Sequence, residues 1–503
     1  MSERTEATQQ RTYGGFTPPG RKGLFGFSLW AFFGLLLSLL PVVILWVAVS
    51  VKAGLAAMIA LVLIAIPLLI PKKDGRGLYE RWLARVGDRL GEVLGNHDLV
   101  NGPAGNALDG SFRIPGLGTD STLTTQRDVN GAEYALISYP RVNHHVVVFE
   151  CYPPGNSLVG QETVNRFVDY WAAFQTFLGT ERRIVAASVT VETATDSGLR
   201  LRRAVLSRVS DIAPQFSRAV IGRILERFNA AAPAINTKVA VTVTGRARSA
   251  DDETATEEEV VAELATLVPT LRDGLRQTGA GAAVRSCTEQ DLVDYVRAAY
   301  DPACSAEIEQ LRSMGQSTGL RWEEAGPAAA RARRDYYEHD GVVSTSWTMA
   351  AGPREIIYDT ALSNLLAPDS RLIRKRVTML YRPELAERAG AIVDQMESNS
   401  IFAGSMNQRR ARTRQARAVA EKMASEEASG AGLVRQGLVV SCTVASPDQL
   451  RLARQVVRSS AASTRMKVRA ARGSQDVAFQ AALPIGLSLP HHSTMPVEMR
   501  DAL

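Results

Sequence analysis

No GxxxxGK[ST] segment occurs anywhere in this 503-residue chain. It therefore lacks the glycine loop and lysine with which a P-loop holds nucleotide phosphates. HExxH is absent too, which removes the helix that carries zinc in metalloproteases. Cysteines are few: Cys151, Cys287, Cys304 and Cys442 lie far apart and none stands in a CxxC. That spacing excludes a zinc ribbon and fits four reduced thiols in a cytosolic fold. Of six histidines, four form the adjacent pairs His144-His145 and His491-His492. Neighbouring strand residues point to opposite faces, so His144 and His145 cannot readily share one metal. No catalytic residue, cofactor or metal is expected.

What is present is an uneven chain. Its apolar share of 46% and charged share of 22% are those of a globular protein, and its net charge of +6 is mildly basic. A mild positive balance suits an anionic membrane surface, an acidic partner or nucleic acid without choosing among them. The length exceeds one ordinary domain. Residues 29–51 carry no charge over 23 positions, and after Lys52 residues 53–70 again carry none. About 20 apolar residues cross a bilayer core as a helix, so two spans are expected, 29–51 and 53–70. Leu29, Trp30, Trp46, Val51, Ala53 and Ile70 mark them, with Trp30 and Trp46 near the ends of the first span. Arg21 and Lys22 precede the spans, and Lys72, Lys73 and Arg76 follow them. The positive-inside rule then places both termini in the cytoplasm, making a multi-pass protein of the inner membrane with the bilayer as its first partner.

The remainder divides as follows. Residues 1–22 form a tail, 23–73 the pair of spans, and 74–95 an amphipathic helix suited to the membrane surface or to a connector. Residues 96–320 and 321–490 read as two α/β (mixed α+β) lobes, with a boundary near 315–327, and 491–503 as a second tail. Strands are expected at 133–139, 145–152, 183–193, 237–246, 342–349, 375–381 and 433–445, and the runs 464–470 and 477–483 finish the fold. Helices are expected at 164–178, 201–229, from the acidic 251–259 to about 277, 289–299, 384–428 and 449–459.

Three groups of side chains carry candidate chemistry. Arg409, Arg410, Arg412, Arg414 and Arg417 crowd one helical stretch and could meet an acidic partner, lipid head groups or DNA. Arg465, Lys467 and Arg469 alternate along an expected strand, with the same choices open. Asp301, Glu338, His339 and Asp340 are the cluster in which a poised base would lie if the chain were an enzyme.

The order of features resembles an actinobacterial family of integral membrane proteins encoded beside conjugation genes. In that family a PrgI-like two-helix unit leads into a region similar to the N-terminal part of VirB/TraC-type conjugation ATPases. The resemblance rests on the 29–70 block, the pair of strands from Tyr139-Pro140 to Cys151, and Ala299-Tyr300-Asp301-Pro302-Ala303. It rests also on Trp322 with Gly326-Pro327, on Tyr337-Glu338-His339-Asp340, and on Lys375-Arg376-Val377. Tyr381-Arg382-Pro383 and Phe479 with Leu483-Pro484-Ile485-Gly486 complete it. In the ATPases a similar Leu-Pro-hydrophobic-Gly element closes the region before the motor domain, and here the chain ends soon after it, with no P-loop. The resemblance implies a non-catalytic inner-membrane scaffold of a conjugative type IV-like machine, docking a separate P-loop ATPase and assembling with copies of itself or other subunits. Direct nucleic-acid contact stays open. A component of an ESX-like type VII secretion system and a membrane-tethered enzyme are the alternatives.

Overall fold

A computed structural model of the chain describes residues 12–13, 29–48, 50–69, 98–103, 105, 110–155, 159–195, 205–210, 212–228, 233–248, 253–353, 357–385, 387, 389–390, 392, 394, 425 and 432–492. In chain order these hold β1 (Thr12–Tyr13), α1 (Leu29–Ala48), α2 (Val51–Leu69), β2 (Asp98–Val100), β3 (Thr122–Arg127), β4 (Glu133–Tyr139) and β5 (His144–Cys151). Next come α3 (Gln161–Thr180), β6 (Ile184–Thr195), α4 (Gln215–Phe228), β7 (Pro233–Thr244), α5 (Glu257–Gln277), β8 (Arg285–Ser286), α6 (Glu289–Tyr300) and α7 (Ser305–Ser313). Then follow β9 (Ala329–Ala332), β10 (Tyr337–His339), β11 (Val342–Ala351), β12 (Ile357–Tyr358) and α8 (Ser363–Leu366). The last are β13 (Arg374–Pro383), β14 (Val434–Val444), α9 (Leu450–Ser463), β15 (Lys467–Ala470) and α10 (Gln475–Ala481).

The N-terminal helices correct one expectation. Ser50 caps α2 by accepting the Ala53 N–H at 3.2 Å, and the missing side chain of Gly54 leaves room for Trp46. Yet among the described residues no helix is long and apolar enough to cross a membrane. The expected multi-pass placement in the inner membrane, with spans marked by Leu29, Trp30, Trp46, Val51, Ala53 and Ile70, is therefore withdrawn. Trp46 and Val51 are exposed; nothing is described of the side chains of Leu29 and Trp30, and Ile70 lies outside the described residues. Arg21, Lys22, Lys72, Lys73 and Arg76, expected to set the orientation, lie outside them as well, as does the amphipathic helix of 74–95.

The mixed α/β architecture is present as one large antiparallel sheet. Thirteen strands take the order β2-β9-β10-β11-β14-β13-β6-β7-β5-β4-β3, with β15 beside β11 and β8 beside β5. Every pairing along that path is antiparallel. The 315–327 stretch expected to divide two lobes does not divide the sheet, because β6 and β13, from either side of it, pair from Arg374↔Ala194 to Tyr381↔Ala187. The β4–β5 turn is local chemistry. Asn143 takes φ +52°, a left-handed conformation that asparagine tolerates, and its N–H returns to the Pro140 carbonyl.

One sheet face is apolar. Val147, Phe149, Val239 and Val241 pack on Phe174 and Leu178 of α3 and on Leu264, Val268 and Leu271 of α5. Further along, Val343, Val377, Val440 and Cys442 pack on Leu365 of α8 and on Ala453, Val456 and Val457 of α9. Helix α5 starts as expected: Thr256 and Glu259 form a reciprocal capping box, and acidic residues fill the first turn.

The other face is rich in hydroxyls and charges, and it is buried too. Strand alternation places Ser344, Ser346, Ser441, Thr443, Arg374, Arg376, Thr378, Thr190 and Glu192 there, all of them buried. Cross-strand pairs satisfy them: Ser344 with Thr443 at 2.8 Å, Ser346 with Ser441 at 3.1 Å, and Thr190 with Thr378 at 3.0 Å.

Candidate functional site

The centre of the polar face is an ion cluster. Glu192 on β6 lies in register with Arg376 on β13, and Arg374 stands two residues along the same face. The Arg374 guanidinium donates to Glu192 Oε1 at 2.6 Å, and Arg376 Nε donates to Oε2 at 2.5 Å. The Tyr295 hydroxyl, carried in by α6, donates to Oε2 at 3.1 Å. One further nitrogen of each guanidinium reaches outward, Arg374 Nη2 to the Ser305 hydroxyl at 3.0 Å and Arg376 Nη2 to the Ala299 carbonyl at 3.3 Å, while Arg374 Nε and Arg376 Nη1 are buried without a hydrogen-bond partner. Arg376 also stacks over the Phe479 ring at 4.9 Å. Burial works to raise the Glu192 carboxyl, but the charges of Arg374 and Arg376 outweigh it and hold the group below its ordinary range. The cluster ties β6, β13, α6 and α10 together.

His339 lies beside it, 1% exposed. Its Nδ1–H donates to the Tyr300 carbonyl at 2.5 Å, so Nε2 accepts from the Ser344 hydroxyl at 2.7 Å. The ring sits 4.7 Å from that of Phe479 and 5.4 Å from that of Tyr337. Burial pushes its pKa down to about 3, against the Tyr300 hydrogen bond and with the help of the nearby arginine charges. His339 is thus a neutral imidazole with both nitrogens engaged, poorly suited to take a proton near neutral pH.

The other members of the expected acidic cluster do not converge on it. Asp301 caps the turn at 302–304 through the Ala303 N–H and pairs with Arg297 at 2.9 Å. Asp340, at φ +40°, accepts the N–H groups of Ala328 and Ala329 and pairs with Arg297 at 3.0 Å. Glu338 points to the other face of β10 from His339.

The last buried segment crosses this polar face as a strap. Tyr139 donates to the Ile485 carbonyl at 2.9 Å, Thr242 to that of Gly486 at 2.7 Å, and Thr378 to that of Ala482 at 2.8 Å. Gln480 donates to the Pro115 carbonyl at 2.5 Å. Gly486 must be glycine: its φ is +68°, and a Cβ would stand 2.4 Å from Val146.

Glu150, Lys238 and Arg285 form a second ion cluster. Glu150 lies opposite Lys238 on one side and Arg285 on the other, with its Lys238 pair at 3.1 Å. The row continues through Asp291 to Arg312, which pairs with Asp294 at 2.7 Å. Lys238 lies 5.3 Å over the ring of Tyr295, so one tyrosine joins the two clusters.

Residues from separate motifs of the conjugation-ATPase resemblance therefore meet in space. Tyr139, Ala299-Tyr300, Tyr337, His339, Arg376, Phe479 and Ile485-Gly486 all take part in one buried assembly. Trp322 seals its flank by donating to the Ser121 hydroxyl at 3.0 Å, and Arg297 holds the Gly326 carbonyl at 2.6 Å. Lys375 turns to the opposite face, where its ammonium meets the Ala367 carbonyl.

Sequence reasoning passed over Glu192, Glu150 and Lys238. Their signal is a lone charge inside a β-branched strand, where an unpaired charge is not tolerated. Gly315-Gln316-Ser317-Thr318-Gly319 also matches the spacing of a nucleophile elbow. It follows helix α7 instead of joining a strand to a helix, and its serine donates to Gln290 at 2.7 Å, so the context of an elbow is missing. His145 is held between Ser138 at 3.0 Å and Asn143 at 3.1 Å. Among the described residues no group of three His, Cys, Asp or Glu side chains could hold a metal ion. Arg409, Arg410, Arg412, Arg414 and Arg417 lie outside the described residues.

Comparison with known proteins adds one match. A family model described as a domain of unknown function (DUF8461) matches residues 20–80. No curated protein matches the chain. Neither result names a conjugation or secretion protein.

Proposed function

We propose that this chain is a non-catalytic assembly subunit whose sheet domain docks a separate P-loop ATPase, in a machine of the conjugative type IV-like class that the resemblance implies. The observation that carries the reading is the closure of the motif-bearing residues into one packed, solvent-excluded assembly. An enzyme keeps its reacting groups where substrate can reach them. Here Arg376 is engaged by Glu192 and the Ala299 carbonyl, and His339 by the Tyr300 carbonyl and the Ser344 hydroxyl. A buried network paired this closely rigidifies a fold and specifies one arrangement of it. A rigid platform is what a partner that cycles through nucleotide states needs to work against.

The test is affinity capture of the full chain from its native host, with mass spectrometry of what accompanies it. Recovery of a P-loop ATPase is the expected result. Recovery of type VII core subunits, or of the chain alone and monodisperse, would overturn the reading.

A further inference from the structure

We propose that the outer face of α9 is a docking surface for the phosphate backbone of double-stranded nucleic acid. Helix α9 buries Leu450, Ala453, Val456, Val457 and Ala461 and turns Arg451, Arg454, Gln455, Arg458 and Ser459 away from the core. These five stand at i, i+3, i+4, i+7 and i+8, a single stripe about 12 Å long at ~1.5 Å per residue. They border one open space of about 600 Å³. The helix contains no acidic residue, and between 448 and 472 the chain carries seven basic residues against the single acid Asp448. Of the seven, Arg472 is paired with Asp335, and Arg465, Lys467 and Arg469 are engaged too.

The chemistry of the stripe separates polyphosphate from the other anionic partners. Its three cations are all arginines, whose planar forks match phosphate oxygens in two-point contacts. The amide of Gln455 and the hydroxyl of Ser459 are neutral donors of the kind that also contact phosphates. An acidic protein surface would meet the same forks, but protein interfaces bind through buried aromatic or aliphatic anchors. This face offers none: its other exposed positions are Ala462 and Ser463. A polyelectrolyte needs no anchor, because released counterions supply the affinity. The lack of an aromatic side chain on the stripe also argues against single strands, which are held by base stacking. The inference goes beyond the ATPase-docking reading and stands independently of it.

The test is fluorescence anisotropy of a labelled DNA duplex of arbitrary sequence, about 20 base pairs long, titrated with the purified full chain over a range of salt. The expected result is salt-sensitive binding. In the R451Q/R454Q/R458Q variant the slope of log affinity against log salt should fall by about 2–3. The changes lie on a solvated face, and an unchanged melting temperature confirms that the variant is folded. Absence of binding at low salt, or an unchanged slope in the variant, would overturn the proposal. So would displacement of the duplex by polyglutamate at equal charge, which would assign the face to an acidic protein.

Discussion

Glu192 and Glu150 sit two strands apart in one sheet, each between two cations, and each touches the surroundings of Tyr295. They differ in water. Around Glu192 the two arginines are 7% and 1% exposed, whereas the row that begins at Glu150 ends in Arg285 and Arg312, 43% and 39% exposed. At the first site every charge depends on its protein partner. At the second, solvent can take over part of the work. Similar pairing therefore makes an enclosed lock in one place and, in the other, a brace that is largely buried at Glu150 and Lys238 and opens to water at its outer end.

The largest expected effect comes from breaking the lock. Glu192→Gln leaves two buried guanidiniums without their counter-charge and should cost about 3–5 kcal/mol in urea unfolding. Replacing the whole cluster in E192L/R374M/R376M should recover most of that loss, because apolar groups of similar volume need no partner. A triple variant as unstable as the single one would show that the cost does not come from unpaired charge.

The next effect is read in pH. The ordinary histidine value near 6.5 applies to the unfolded chain, while His339 in the fold is pushed down to about 3. Between those values the unfolded chain binds a proton that the fold refuses. Stability from this group is thus complete above pH ~6.5 and falls by about 1.4 kcal/mol per unit as pH drops toward 3. His339→Gln should flatten that slope between pH 6.5 and about 5.5, above the range where glutamates of the unfolded chain begin to take up protons. An equally steep slope in the variant would assign the acid sensitivity elsewhere.

Smaller effects belong to the second cluster and the surface. Lys238→Met leaves Glu150 with Arg285 and should cost about 1–3 kcal/mol, half-compensated by solvent at the outer end of the row. Arg127→Ala removes an exposed pair with Glu133 and should change stability by no more than about 0.5–1 kcal/mol. A Lys238 effect as small as that of Arg127 would erase the distinction between a brace and a solvated pair.

Much of the element order is legible in the chain because its strands announce themselves. Val, Ile and Thr runs bounded by turn residues mark β4, β5, β6, β11, β13 and β14 within two residues of their expected limits. Three misses have separate causes. The helix expected over 201–229 is broken: Val205 and Leu206 are helical, a turn follows, and α4 begins at Gln215, just after Pro214, whose ring disfavours helix in the preceding residue. The 477–483 run looks like a closing strand but forms α10 over Gln475–Ala481, its apolar residues serving a helix face against β10 and β14. Strands β3, β9 and β10 carry too little apolar pattern to stand out.

The site was harder to read than the fold. A strand that alternates apolar and polar residues usually shows its polar side to water. In β13 and β6 the polar side, with Arg374, Arg376 and Glu192, is the more specifically built of the two. Only the pairing register makes that visible, since Arg376 and Glu192 are 184 residues apart in the chain. Tyr139, Tyr300, His339 and Phe479 were each legible as motif residues. That they make one assembly was not.

The central claim is that the strap of residues 475–488 is locked onto the polar face, leaving no open site there. Amide hydrogen exchange of the full chain tests it most directly. The account predicts that amides of 475–488 are among the slowest in the described sheet domain, and that Glu192→Gln speeds them together with those of α6 and β13 while leaving α4 unchanged. Rapid exchange of 475–488 in the unaltered chain would contradict it, because a strap that lifts would bare Arg374 and Arg376 as a site for an anionic ligand.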